Sequence, residues 1–401
     1  MSSKSPVVDW ATDWSHFDSK WVEDPFPIWK ELRAQCPIAH SNRFQDGAYF
    51  PSSYEYVRAI AYDSEHFSSR RIIVRETKVD LQPNPPITSD PPEHTGARRL
   101  LLPAFTAKAA EKYEEKTRRV CRDLLDRIGD SRTCDAAIQY AQHIPVLVIV
   151  EILGLPAEDG ERFRDWIHRL LEIGPVNPVV AKEALDEITD YFRAQVAIRR
   201  SKEGDHIGND LITFLLNATI DGYPLTEAHL LGTLRLLLVA GIDTTWSAIG
   251  ASLWHLATHA SDRHRLAEDF SLLPTAIEEL LRAYSPVTMA REVTKETSLG
   301  NCRFSVGSQV LLSFPAANRD PAIFDHPDEV RIDRTENPHV AFGLGRHRCL
   351  GSNLARMELR VALEEWLKRF ADFELAEGAI VRWSEGTVRG PRTIPVKLKP
   401  R

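Results

Sequence analysis

The most informative stretch of the 401-residue chain is Phe342-Gly343-Leu344-Gly345-Arg346-His347-Arg348-Cys349-Leu350-Gly351. Its glycines predict a loop, and the periodicity that follows predicts a helix over Ser352–Phe370. Gly343 and Gly345 allow a close backbone approach that residues with a Cβ atom resist. A thiolate near a helix N-terminus is stabilised by free amides and by basic neighbours, so we expect a lowered pKa for Cys349.

The other cysteines give no competing metal or disulfide pattern. The five cysteines are Cys36, Cys121, Cys134, Cys302 and Cys349. An odd, scattered set does not predict a disulfide framework, and the absence of a CxxC pair gives no indication of zinc. A buried, reduced thiol is the ordinary interpretation of each. Cys349 departs from it, because a stabilised thiolate with small neighbours suits an axial iron ligand; a structural cysteine beside a helix cap is the alternative.

The spacing FGxGxHxCxG resembles the haem-binding signature of the cytochrome P450 family at every defined position. The resemblance implies that Cys349 ligates the iron of haem b (iron protoporphyrin IX), with Phe342, Gly343 and Gly351 also contacting the cofactor. It also implies the family fold, which is mainly α with small β-sheets. We therefore expect residues 1–401 to form a single triangular haem domain with no fused reductase.

A second motif lies in the middle of a long predicted helix. Periodicity predicts this helix over Leu225–Ala257, with Thr226 as its N-cap. Burying Asp243 there is costly unless it is paired or functional, while Thr244 can hydrogen-bond to the preceding turn and, with Gly241, open a groove. The pair resembles the acid–alcohol motif of the family, which implies that Asp243 relays protons and Thr244 holds dioxygen and a water. A solvated or capping aspartate is the alternative.

Two further groups of charged residues match the family. Asp90–Arg98 resembles the DPPEHxxxR segment, and the resemblance assigns the haem propionates to His94, Arg98, Arg291 and His347. Buried carboxylates need such cations, although each residue taken alone is more often solvated. Glu279 and Arg282 match the structural ExxR motif, with Arg334 as its third member.

The remaining secondary structure is predicted from periodicity and turn signals. A charged amphipathic helix is expected over Ala107–Ile128, capped by Thr106, after an irregular proline-rich loop over Pro83–Pro92. The predicted strands are Ala48–Phe50, Ser298–Phe304, Val310–Phe314 and Ile394–Leu398.

Composition narrows the partners and the location. The net charge of −7 argues weakly against nucleic-acid binding. Residues 1–10 lack the features of a signal peptide, and the longest apolar runs, Pro145–Val150 and Leu236–Ile242, fall well short of the ~20 residues that span a bilayer. We expect a cytoplasmic protein with no membrane attachment.

Family position also suggests a substrate pocket. It is lined by parts of Arg70–Thr88, Ile173–Val180, Leu236–Thr244, Val287–Met289 and Thr387–Val388. Its candidate contact residues are apolar, which predicts a small or medium hydrophobic substrate, with ordinary core packing as the alternative; they are Leu236, Val239, Ala240, Val287 and Met289. Arg70, Arg71 and Arg75 would meet a substrate carboxylate only if they point inward, and solvent exposure is the favoured interpretation.

The resemblance implies insertion of one oxygen atom from O2 into the substrate, by hydroxylation, epoxidation or dealkylation. Electrons would come from a separate ferredoxin and ferredoxin reductase, docking near the basic residues Arg99, Arg346, Arg348 and Arg356; ordinary solvated charges are the alternative. A peroxide-driven or isomerising haem-thiolate enzyme is disfavoured by the intact Asp243–Thr244 pair. A non-enzymatic sensor is disfavoured because nothing resembles a signalling segment.

Overall fold

The computed structural model describes residues 5–76, 82–201, 210–384 and 387–399, and helices dominate them. In chain order the α-helices are α1 (Ser19–Glu23), α2 (Phe26–Gln35), α3 (Tyr54–Tyr62), α4 (Glu93–Leu101), α5 (Ala107–Glu111), α6 (Glu114–Ile128), α7 (His143–Leu153), α8 (Gly160–His168), α9 (Pro178–Ser201), α10 (Leu211–Leu216), α11 (Glu227–Thr258), α12 (Ala260–Glu268), α13 (Leu273–Ala283), α14 (Phe314–Ala317) and α15 (Ser352–Arg369). One-turn π-helices precede α7 and follow α8, over Ala137–Ala141 and Arg169–Ile173.

The strands form small sheets. They are β1 (Ile38–Ser41), β2 (Ala48–Pro51), β3 (Phe67–Ser68), β4 (Thr133–Asp135), β5 (Thr219–Ile220), β6 (Tyr223–Pro224), β7 (Thr288–Val293), β8 (Thr297–Leu299), β9 (Cys302–Phe304), β10 (Gln309–Ser313), β11 (Asp372–Leu375) and β12 (Pro395–Lys399). The largest sheet has the order β1-β2-β10-β7-β3, and a second has the order β11-β12-β4. In the first sheet β10 runs antiparallel to β7, with Leu312 opposite Met289. The prediction of a mainly α protein with small sheets is confirmed.

Helix α11 is the core of the helical region. Its 32 residues begin after Thr226, whose side chain accepts a hydrogen bond from the backbone of His229, as expected for an N-cap. The helix is long and apolar enough to cross a bilayer, but 72% of its most apolar window is buried against other parts of the protein. It packs on α7, α9 and α15, which identifies a core helix whose apolar residues serve tertiary packing.

Two predicted elements are divided. The helix predicted over 107–128 is α5 followed by α6, because the N–H of Tyr113 bonds to the carbonyl of Ala110, three residues back. Thr106 nevertheless caps its first part. The strand predicted over 298–304 is the hairpin β8–β9, which turns at Gly300 with φ of +58°. The other predicted strands are present as β2, β10 and β12, within a residue or two at their ends.

Candidate active site

The cysteine loop has a backbone that demands its glycines. Gly343 and Gly345 adopt φ of +70° and +63°, and a Cβ atom on Gly345 would lie 2.9 Å from the carbonyl oxygen of Ala61. The N–H of Cys349 donates to the carbonyl of Phe342 at 2.7 Å, which closes the loop. Helix α15 begins three residues later, at Ser352. The loop therefore presents one thiol at the N-terminal end of a buried helix.

The environment of Cys349 corrects one expectation from the sequence. Desolvation raises the pKa of its thiol above the ordinary value and outweighs the opposing effects of the Gly351 amide, Arg98 and Arg356. The predicted net lowering of the pKa by basic neighbours is therefore wrong for the thiol by itself. The residue is deep in the protein and still has a large accessible surface, a combination typical of the wall of an internal cavity. A metal bound at this position would restore the thiolate, because coordination deprotonates a thiol outright.

Four cationic or donor side chains converge near the cysteine. The rings of His94 and His347 are 4.3 Å apart, and the Nε2 atom of His347 lies 2.9 Å from the hydroxyl of Ser69. Arg98 donates to the carbonyl of Arg348 at 2.6 Å, so helix α4 is tied to the cysteine loop. Burial lowers the pKa of His347 to about 2, and the positive charges of Arg291 and Arg98 add to this effect.

This cluster fits the two carboxylates of a haem. Arg291 is only 4% exposed, and the one hydrogen bond that its side chain forms among the described residues goes to the carbonyl of Ala290. The buried Nε2 atom of His94 finds no hydrogen-bond partner among the described residues. Buried positive charge and an unused donor are costly unless an anion compensates them. The sequence assignments of His94, Arg98, Arg291 and His347 therefore fall in one place and suit one ligand, next to the thiol of Cys349.

A second cluster lies behind the cysteine loop. Glu279 is completely buried and accepts two hydrogen bonds from Arg282, at 2.8 and 2.9 Å. It also accepts bonds from Arg334 at 3.0 Å, from the backbone of Arg331 at 2.8 Å and from Asn337 at 3.1 Å. Because the last three donors precede the cysteine loop in the chain, this carboxylate anchors the segment that leads to Cys349. The Glu279–Arg282 pair is therefore part of the protein interior and is no surface ion pair.

The acid of α11 is also paired, by a residue that the sequence did not single out. Asp243 is completely buried, and its carboxylate oxygens lie 2.8 and 3.1 Å from Nη2 of Arg392. Desolvation raises the pKa of Asp243 to about 6, although the charge of Arg392 opposes this rise. Thr244 donates its hydroxyl to the carbonyl of Ala240 at 2.9 Å, as predicted. Helix α11 nevertheless remains α-helical through this point.

Arg392 is shared with a second carboxylate. Its Nε atom donates to Glu172 at 2.7 Å, its Nη1 atom donates to Ser247 at 3.1 Å, and its guanidinium stacks 4.3 Å from the ring of Trp246. Glu172 also lies 3.6 Å from Nδ1 of His168, whose side chain is 54% exposed. The charged chain thus extends from the buried acid to the protein surface. A buried aspartate with no basic residue within one turn of it on its own helix was the only sequence signal for it.

Two of the segments predicted to line the substrate pocket, residues 287–289 and 387–388, contact each other through their backbones. Val287 pairs with Val388, and the N–H of Thr288 donates to the carbonyl of Thr387 at 3.2 Å. From Leu230 to Ala257 most residues of α11 are buried, but the side that carries the predicted contacts retains accessible surface; these residues are Leu236, Val239, Ala240 and Thr244. Val287 and Met289 are half-buried and pack partly against a hydrophobic cluster of the β-rich region.

The arginines of the first pocket segment behave differently from one another. Arg70 is exposed, as predicted, and Arg71 forms an ion pair with Glu292 at 3.2 Å. Arg75 is only 5% exposed, so the expectation of solvent exposure is wrong for it. It donates to the carbonyl of Gly174 at 2.9 Å and so connects this segment to the turn before α9. Residues 77–81 of the segment lie outside the described residues.

The predicted docking residues for a redox partner are also not equivalent. Arg99, Arg346 and Arg348 are exposed. Arg356 is engaged within the protein: it forms two hydrogen bonds with Glu278, at 2.6 and 2.8 Å, and lies 4.4 Å from the ring centroid of Phe342. Its charge is therefore used in holding the cysteine loop, which makes it a poor candidate for a docking contact.

Comparisons with known proteins point to one family. The family model "Cytochrome P450" matches residues 178–394. The polyketide biosynthesis cytochrome P450 PksS of Bacillus subtilis is 30% identical over 94% of this chain and 96% of its own. The mycinamicin IV hydroxylase/epoxidase of Micromonospora griseorubida is 34% identical over 91% of this chain and 94% of its own. The crystal structure of CYP109E1 from Bacillus megaterium, in complex with testosterone, superposes with a TM-score of 0.86 at 30% identity, covering 94% and 98% of the two chains.

The chain belongs to the cytochrome P450 family. It is therefore a haem-dependent monooxygenase, and the expectations of enzyme class, fold and cofactor drawn from the cysteine motif are confirmed.

Proposed function

We propose that this P450 inserts one oxygen atom from O2 into a small or medium hydrophobic organic molecule, by hydroxylation, epoxidation or dealkylation. The proposal rests on one observation about α11. An apolar stripe, formed by Leu236, Val239 and Ala240, lies on the same helix as the acid–alcohol pair, Asp243 and Thr244. Leu236, Val239 and Ala240 retain accessible surface within one to two turns of Thr244. An apolar surface with a few convergent polar groups is the usual form of a small-molecule site.

Cys349 is proposed as the iron ligand, and the residues around it as the remaining haem contacts. These are Phe342, Gly343 and Gly351 in the loop, and His94, Arg98, Arg291 and His347 at the propionates. When bound, the haem supplies reductive activation of O2, which donation from a thiolate favours. The protein provides orientation, proton delivery and the exclusion of water.

Asp243 and Thr244 are proposed to deliver protons. A carboxyl whose pKa lies at about 6 exchanges its proton readily near neutral pH. The Thr244 hydroxyl donates to the Ala240 carbonyl, so its lone pairs remain free to accept a hydrogen bond from a water. Arg392 cannot itself carry protons, because a guanidinium does not lose its charge in proteins. Its role is to hold the Asp243 carboxylate, and Glu172 competes for the same guanidinium.

A ferredoxin and its reductase are the proposed electron donors, as separate proteins, to a single haem domain in the cytoplasm. Arg99, Arg346 and Arg348 form an exposed basic surface near the cysteine loop, with the half-exposed Leu102 beside Arg99. Such a surface is complementary to an acidic partner. The double substitution Arg99→Glu with Arg348→Glu should raise the KM for ferredoxin about tenfold or more at low salt, and less at high salt. An unchanged KM would remove this surface from the proposal.

The central test is turnover with a surrogate ferredoxin and reductase over a panel of hydrophobic compounds, comparing the parent enzyme with Thr244→Ala. We expect the substituted enzyme to consume reductant but to form less product and more hydrogen peroxide, because proton delivery is lost. Equal coupling in the two enzymes would count against the relay. Full turnover with peroxide alone, and none with redox partners, would favour the peroxide-driven class instead.

A further inference from the structure

Helix α11 carries a buried arginine that plays no part in the site described above. Arg235 is 2% exposed, and burial lowers the pKa of its guanidinium to about 10. Among the described residues, the hydrogen bonds of its side chain all go to uncharged acceptors. They are Oδ1 of Asn84 at 3.1 Å, Oε1 of Gln82 at 3.0 Å, the carbonyl of Pro83 at 2.9 Å and the hydroxyl of Thr189 at 3.1 Å. The charge of Asp186 acts on this guanidinium, but no carboxylate among the described residues is hydrogen-bonded to it, so the four bonds must offset a large desolvation penalty.

Three of the four acceptors belong to loop 82–89, which leads into α4. This loop also contacts two residues of α11 that lie two and three positions before Arg235. The hydroxyl of Thr233 donates to the carbonyl of Pro85 at 3.2 Å. A Cβ atom on Gly232 would lie 2.4 Å from the carbonyl oxygen of Pro83 and 2.9 Å from the ring of Pro85. The loop therefore lies directly on the helix backbone at Gly232, and Thr189 connects the same arginine to α9.

The position of this contact on α11 relates it to the substrate. Gly232 and Arg235 precede Leu236, Val239 and Ala240 at spacings of three and four residues, so all five share one side of the helix. Gly232 and Arg235 are buried by the loop, whereas the next turn on the same side retains accessible surface. Loop 82–89 thus covers one end of the apolar stripe that the proposed function assigns to substrate.

We propose that Arg235 is a positioning residue that holds loop 82–89 closed over this end of the substrate cavity and thereby selects entering molecules by size. The inference rests on the proposed substrate site along α11. The planar guanidinium is suited to the task, because its fixed donors reach two side-chain amides, a carbonyl and a hydroxyl at once. Bulky hydrophobic molecules must displace the loop to enter, while small molecules need no such displacement.

The test measures how fast haem ligands of different size bind to the ferric holoenzyme. Imidazole serves as the small probe and econazole as the bulky one, followed by stopped-flow absorbance. Arg235→Met removes the bonds to the loop, and Gly232→Ala pushes the loop away by adding a methyl group. We expect both substitutions to raise the association rate of econazole about tenfold or more and that of imidazole less than about twofold. Arg235→Met acts by removing several hydrogen bonds of a charged group, and Gly232→Ala acts by the steric clash of its methyl group with Pro83.

Two controls separate this role from general destabilisation. Arg193 also connects α9 to α11, through Glu227 at 3.4 Å, but it is 55% exposed and contacts no residue of the loop in the described part of the chain. Arg193→Met should therefore leave both association rates unchanged. Arg235→Lys keeps the charge without the planar fork, and we expect a rate for econazole between those of the parent and Arg235→Met.

Hydrogen exchange over residues 82–89 reports the loop independently of ligand binding. Faster exchange in Arg235→Met and Gly232→Ala, with a faster rate for econazole alone, is the expected result. Faster exchange with no change in either rate would overturn the size selection, while turnover with redox partners would still stand. Equal acceleration of both probes would also overturn it, because that result indicates a change at the haem. If Arg235→Met does not retain haem, Gly232→Ala decides the question.

Discussion

Glu279 on α13 and Asp243 on α11 are both completely buried, yet their surroundings differ. Glu279 accepts five hydrogen bonds, including bonds from Arg282 and Arg334. Burial would raise its pKa, but these partners outweigh burial and lower it. Asp243 accepts one hydrogen bond, from Arg392, and burial raises its pKa to about 6.

The difference separates a carboxylate that holds structure from one that can exchange protons. A fully bonded carboxylate stays ionised at any pH the enzyme meets, so Glu279 acts as a permanent anchor for the chain that leads to Cys349. A buried carboxyl with one partner titrates near neutral pH, which is the requirement for a proton donor. The same burial thus has opposite consequences, and the number of donors decides between them.

The largest expected effect concerns Cys349, the residue at the end of the segment that Glu279 anchors. Cys349→Ser should abolish the thiolate ligation, because a serine hydroxyl remains protonated where a metal-bound thiol does not. The reduced protein exposed to carbon monoxide should lose the strongly red-shifted Soret band of the parent. Retention of that band would show that another residue supplies the thiolate.

The next effect tests the anchor itself. Glu279→Gln should lower the free energy of unfolding by about 3–5 kcal/mol and reduce haem retention, because Arg282 and Arg334 lose their counter-charge in a buried site. Urea unfolding and haem content measure it. Glu278→Gln, the adjacent substitution in a half-exposed pair with Arg356, should cost clearly less. Equal losses in the two variants would contradict the distinction between them.

The third effect concerns Asp243. Its substitution should reduce turnover, whereas the substitution of Glu279 should reduce stability. Asp243→Asn should slow turnover about a hundredfold, the usual contribution of a positioned acid. Because the pKa of Asp243 rises from its ordinary value of 3.8 to about 6 on folding, the native state binds the proton more tightly. The contribution of Asp243 to stability should therefore fall as the pH rises from about 4 to about 6, by an amount on the order of 3 kcal/mol.

The asparagine variant should lack this fall, which thermal unfolding across that pH range would reveal. A parent protein whose stability is constant between pH 4 and pH 6, relative to the variant, would mean that Asp243 is ionised throughout and that the comparison with Glu279 fails.

The smallest effect refines the role of Arg392. Since its positive charge opposes the rise in the pKa of Asp243, Arg392→Gln should raise that pKa further. The pH dependence of coupling, measured as product formed per reductant consumed, should shift toward higher pH by about one unit. Ser384→Ala, a nearby buried substitution in the same C-terminal segment, offers a matched comparison and should leave the profile in place. An identical profile in Arg392→Gln would show that the ion pair has no influence on the proton donor.

Much of the cysteine loop, and the caps of two helices, could be predicted from the sequence, because the residues that form each of them are contiguous. The glycines at 343 and 345 have the positive φ values that their loop requires, and the caps at Thr106 and Thr226 form as their side chains predict. A turn or a cap is decided by residues a few positions apart, so local chemistry is sufficient. Helix α5 and α6 were wrongly joined, since one backbone bond at Tyr113 leaves no trace in the periodicity.

The sequence by itself determined the family, and it predicts the iron ligand and the acid–alcohol pair, because each is a motif contained within ten residues. Only the tertiary structure decided which charges meet. Arg392 lies 149 positions after Asp243, and Arg235 lies 151 positions after Asn84, so neither contact has a local signature. Buried charges must find partners wherever the fold brings donors and acceptors together, and their pKa values follow from that geometry.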